Sequence, residues 1–99
     1  MNENVLNLNN FKDKINNTDK IVLIDFYADW CGPCRMLAPN LEEIAQNFKV
    51  IKVNVDEHEG LAREYGIMSI PCLVLVKDGI EVKRNVGFLN VEELKEFID

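Results

Sequence analysis

The chain has 99 residues, 47% of them hydrophobic, which suffices for one core without metal or disulfide staples and leaves room for a single domain over residues 1–99. A net charge of −6 excludes broad binding to nucleic acid or an anionic membrane, because neutralising phosphates needs basic clusters and Lys83-Arg84 is too short to be one. Three cysteines in a chain whose start, Met1-Asn2-Glu3-Asn4, has no basic segment leading into an apolar one argue against a secreted disulfide scaffold.

No repeat, low-complexity tract or linker divides the chain. Asn9 or Asn10 can cap a first helix carrying Phe11 and Ile15 on one face, and Asn16-Asn17-Thr18-Asp19 reads as a turn. Ile21 to Ala28 is almost continuously apolar, as in a central strand covered on both faces. From Cys34 to Phe48, Leu37, Leu41, Ile44, Ala45 and Phe48 recur at helical spacing. Pro39 inside that helix removes one backbone hydrogen bond, so a kink is expected. Val50 to Val55 alternates, with Ile51, Val53 and Val55 on one face and Lys52 and Asn54 on the other. Leu61, Ala62 and Tyr65 suggest a short helix before Gly66. A strand from Cys72 to Lys77, a hairpin turn at Asp78-Gly79 and a strand from Ile80 to Val86 follow. The last helix starts at Asn90, with Glu93 completing a capping box, and carries Val91, Leu94, Phe97 and Ile98. This order predicts an α/β fold, a mixed sheet of four to five strands with helices on both faces. No apolar run approaches the length that spans a bilayer.

Chemistry concentrates where the first long strand meets its helix, at Trp30-Cys31-Gly32-Pro33-Cys34. Residues three apart on a first helical turn are close enough for a disulfide, and the ring closed is too small to stabilise the fold much. A thiol there also faces unpaired backbone N–H groups and the positive end of the helix dipole, which favours the reactive thiolate. A reversible dithiol is the first hypothesis.

Asp25 stands out next: a carboxyl inside an otherwise apolar strand is costly when charged, so its pKa is expected to rise. The alternative is a side chain that caps a loop or reaches solvent at the sheet edge.

Asp25-Phe26-Tyr27-Ala28-Asp29-Trp30-Cys31-Gly32-Pro33-Cys34, then Pro39, Ser69-Ile70-Pro71 and Gly87, resemble the thioredoxin family in order and spacing over essentially the whole chain. A bare CxxC is shared with zinc and haem sites; this combination is far more specific. The resemblance implies the thioredoxin fold and a protein-disulfide reductase. Cys31 would attack a substrate disulfide, Cys34 would resolve the mixed disulfide, and Asp25 would exchange a proton with Cys34 through water. Gly32 and Pro33 would shape the turn. Lys52 matches the family's lysine near the buried carboxyl, or is simply a solvated strand-face residue. Trp30, Ile70, Pro71 with a cis peptide before it, and Gly87 would outline an apolar docking groove; ordinary strand-end roles are the plainer reading of each.

The resemblance further implies a monomer that needs no cofactor beyond the Cys31–Cys34 disulfide, acts on disulfide-containing proteins and is re-reduced by a separate thioredoxin reductase-like donor; a cytoplasmic location is expected from the start of the chain and the lack of a spanning apolar run. No G-x-G-x-x-G follows a strand, so nothing here binds a flavin or nicotinamide. Two residues depart from the family: Tyr27 stands where tryptophan is common and Cys72 where threonine is common. Cys72 is either a modulator of the dithiol or a small buried hydrophobe. Three other readings stay open. One is an oxidase or isomerase, although Gly32-Pro33 resembles the reducing members. Another is a metal site on Cys31, Cys34 and Cys72 with His58 or a second chain, although His58 reads as a solvated loop residue. The third is a binding module that uses only the groove.

Overall fold

A computed structural model describes residues 21–99 and the backbone of Val5–Leu6. The expected first helix and the turn after it lie outside the described residues. The sheet has five strands: β1 (Val5–Leu6), β2 (Ile21–Tyr27), β3 (Val50–Asn54), β4 (Cys72–Lys77) and β5 (Ile80–Val86). Their spatial order is β1-β3-β2-β4-β5, parallel across β1, β3 and β2 and antiparallel from β2 through β4 to β5. Three helices are described, α1 (Gly32–Ile44), α2 (Glu59–Glu64) and α3 (Val91–Ile98).

Each face of β2 has its own core, which is why the strand reads as continuously apolar. On one face, Leu23, Val50, Leu73 and Leu75 meet Leu37, Leu41 and Ile44 of α1 and Leu94 of α3. On the other, Val22, Ile24, Phe26, Ile51, Val53, Cys72 and Val74 pack under Leu61 and Tyr65, in and just after α2. The Phe26 and Tyr65 rings meet at 5.3 Å. Helix α3 starts with the expected capping box, Asn90 Oδ1 accepting from Glu93 N–H and Glu93 Oε1 from Asn90 N–H. Asp78 and Gly79 both take positive φ, the conformation a two-residue hairpin requires.

Several boundaries differ from the sequence-based expectation. Helix α1 begins at Gly32, two residues before Cys34, because Cys31 caps it and Pro33 suits its first turn. It ends at Ile44 rather than Phe48, where the Gln46 and Asn47 amides reach back only three residues, to Glu43 and Ile44, and tighten the chain into β3. Strand β2 stops at Tyr27, since the Ala28 carbonyl accepts from Cys31 N–H in the turn to α1. Asn54 is buried, and its Oδ1 accepts from Asp56 N–H in the turn after β3. β1 pairs with Val50 and Ile51 and carries no sequence signal, being two residues long.

Candidate active site

The turn from β2 into α1 brings the two cysteines together. Cys31 is the N-cap of α1 and Cys34 is its third helical residue; their Cα atoms are 5.2 Å apart and the sulfurs form a disulfide. The Cys34 backbone N–H donates to Cys31 Sγ at 3.2 Å, so the sulfur occupies the place a serine or aspartate oxygen takes at an ordinary N-cap. In this disulfide state Cys31 is no more exposed than Cys34, each at 5%. The difference between the two sulfurs is therefore one of position on the helix, not of exposed area. Ala28 lies beneath them, with Tyr27, Val55 and Ile70 packed around.

Asp25 lies on the α1 face of β2. Two residues before it, Leu23 packs under the middle of α1; two residues after it, Tyr27 packs against the cysteines. The carboxyl is 2% exposed and its Oδ1 has no hydrogen-bond partner. Burial pushes its pKa from 3.8 up to about 7, opposed by the charge of Lys52. Lys52 is directly opposite in β3, but its ammonium sits over the Tyr27 ring, 4.6 Å from the centroid.

The rim of the site is apolar. Trp30 is 68% exposed and is held there by its Nε1–H, which donates to Asp56 Oδ2 at 2.8 Å. Arg35 Nη1 donates to the Asp29 carbonyl at 2.8 Å, pinning the same turn from the helix side. The Ile70–Pro71 peptide is cis, and the Pro71 carbonyl accepts from Gly87 N–H at 2.8 Å. Gly87 has φ 109°, a conformation side-chain-bearing residues rarely adopt, so glycine is required there by the backbone before any partner is considered.

Cys72 falls elsewhere. It pairs with Phe26 and points into the α2-face core, 1% exposed, with its thiol pKa raised mainly by burial. The three-cysteine metal site is corrected on this point: Cys72 belongs to the α2-face core and not to the buried cluster that holds Cys31 and Cys34. Among the described residues no three His, Cys, Asp or Glu side chains gather to hold a metal. His58, expected as a solvated loop residue, is half-buried at the N-cap of α2.

The family model described as Thioredoxin matches residues 2–99 of this chain. The chain belongs to the thioredoxin family. Curated relatives agree: thioredoxin of Bacillus subtilis is 46% identical, covering 83% of each chain, and that of Haemophilus influenzae is 42% identical over 96% of this chain and 94% of its own. Among solved structures, a point mutant of the thioredoxin from Halobacterium salinarum superposes with a TM-score of 0.87 at 41% identity, covering 95% of this chain and 87% of that one. Plasmodium falciparum thioredoxin gives 0.84 at 33% identity, over 95% and 94%. As a thioredoxin-family member the protein is a thiol-disulfide oxidoreductase of the protein-disulfide reductase kind, and its redox group is the disulfide in its own chain. No helix among the described residues is long and apolar enough to cross a membrane.

Asp56 and Met68 escaped the sequence reading. Asp56 sits in a polar stretch with no periodicity, and its contact with Trp30 spans 26 residues. Met68 is a lone apolar residue in a loop, a pattern that carries no signal.

Proposed function

We propose that the whole chain works as one domain in which Cys31 is the nucleophile and Cys34 the resolving thiol. The observation that carries this is the Cys34 N–H aimed at Cys31 Sγ at the start of α1. In the reduced protein the same N–H and the helix terminus stabilise a thiolate on Cys31. That thiolate attacks one sulfur of a substrate disulfide, forming the mixed disulfide and expelling the other sulfur as thiolate. Cys34 then gives its proton to the Asp25 carboxylate through water and attacks Cys31 Sγ. The Cys31–Cys34 bond closes, the second substrate sulfur leaves, and two electrons have passed to the substrate. A carboxyl titrating near 7 can accept that proton at neutral pH and return it. Lys52 tunes Asp25 through space.

Trp30, Ile70, Pro71 and Gly87 form the docking rim, where an extended substrate segment lies beside the cis peptide. Re-reduction requires electrons from a separate thioredoxin reductase-like partner, and a reducing role places the protein in the cytoplasm, where thiols are kept reduced. The test is reduction of insulin disulfides by dithiothreitol, followed by turbidity. Acceleration by the unmodified protein, its loss in Cys31→Ser and accumulation of a mixed disulfide in Cys34→Ser are expected. A Cys31→Ser, Cys34→Ser double variant with full activity in the cell would favour a redox-independent binding module instead.

A further inference from the structure

Near the disulfide is a cleft of about 190 Å³ lined by Trp30, Val55, Ala62, Ile67, Met68 and Ile70, with Ser69 its one polar residue. Val55 and Ile70 also pack against the cysteines, so the cleft shares two of its side chains with the surroundings of the disulfide. Trp30 forms one wall and is fixed by Asp56. The other wall is Met68, 96% exposed, in the loop after α2. The chain carries a second exposed methionine, Met36 on α1, 65% exposed, which does not line the cleft.

We propose that Met68 is an oxidation-sensitive wall of this cleft: its conversion to the sulfoxide weakens docking of polypeptide substrates that place an apolar side chain there, while the dithiol chemistry is untouched. This rests on the docking reading above. The oxidant is a peroxide. The thioether sulfur takes one peroxide oxygen as the O–O bond breaks, water leaves, and two electrons pass from sulfur to peroxide. The product is a polar group where the cleft needs an apolar one, so contact with an apolar side chain is lost.

The other sulfurs leave the methionine as the soft target. While Cys31 and Cys34 form a disulfide they present no thiolate, and Cys72 is buried with its thiol pKa raised. Exposure makes Met68 the most accessible thioether among the described residues.

The experiment treats the disulfide form with hydrogen peroxide, removes the peroxide with catalase and locates sulfoxide at each of the three methionines by peptide mass spectrometry. Insulin and bis(2-hydroxyethyl) disulfide, which has no side chain to dock, are then compared as substrates. With Met68 converted, KM for insulin is expected to rise roughly three- to tenfold at nearly constant kcat, with the small disulfide unaffected. Met68→Leu should make treated and untreated rates equal; Met36→Leu should keep the response; Met68→Gln should raise KM without any oxidant. An unchanged insulin KM with Met68 fully converted, equal slowing of both substrates, or a response that survives in Met68→Leu would overturn the proposal. Failure of the untreated protein to reduce insulin would instead sink the reductase reading.

Discussion

Asp25 and Cys72 are near neighbours in the sheet, and both are buried in apolar surroundings. Asp25 pairs across to Leu73, and Cys72 is one residue away, paired to Phe26. Burial raises the pKa of each. One residue of register nevertheless puts them on opposite faces, Asp25 under the helix that carries the dithiol and Cys72 in the core covered by α2. Burial of an ionisable group therefore does not mark function by itself; the proposed role of Asp25 rests on its place under the helix that carries the dithiol.

The strongest test of that contrast is Asp25→Asn. The carboxyl titrates near 7 in the folded protein against 3.8 as the unperturbed value, so between those limits the native state keeps a proton that the unfolded chain has lost. Stability is accordingly greatest below the lower value, falls as pH rises through the window and levels off above it. Asn has no such penalty. The substitution is expected to stabilise the protein at pH 8 by up to about 4 kcal/mol and by little at pH 4. It should also slow insulin reduction at pH 7 roughly tenfold, with the gap closing below pH 6 as the native carboxyl protonates anyway. Denaturant unfolding at the two pH values reads the first effect; an equal gain at both would mean that the carboxyl is not a buried, late-titrating acid.

Lys52→Met should also slow the reaction, by a smaller factor. Removing the Lys52 charge that opposes the effect of burial raises the Asp25 pKa further, so less carboxylate is present at pH 7. Insulin reduction should fall roughly two- to threefold, with the midpoint of the pH profile moved up. Carbon NMR of the Asp25 carboxyl follows the titration directly, and an unmoved midpoint would confine Lys52 to its contact with Tyr27.

Cys72→Val should do least. It nearly preserves volume in an apolar core, so stability is expected to change by less than about 1.5 kcal/mol and insulin reduction not at all. A shift in the reaction rate would return Cys72 to the active site and erase the contrast with Asp25.

Much of the site is legible from local chemistry. Cys31 and Cys34 declare themselves by spacing and by their place between a strand and a helix, and Asp25 by its unlikeness to its neighbours. Asn90 with Glu93, and Asp78 with Gly79, announce a helix start and a hairpin because each signal is complete within four residues. Less of the periphery is legible. The Trp30–Asp56 hydrogen bond and the Met68 wall of the cleft join segments far apart in the chain, and β1 exists only through its pairing with β3.

By itself, then, the sequence determined the dithiol, the buried acid behind it and the order of most elements, since these depend on neighbours along the chain. Which face each buried group occupies was decided by the tertiary structure. A strand covered on both sides is apolar at every position, so its pattern is silent about direction until pairing and helix packing supply it.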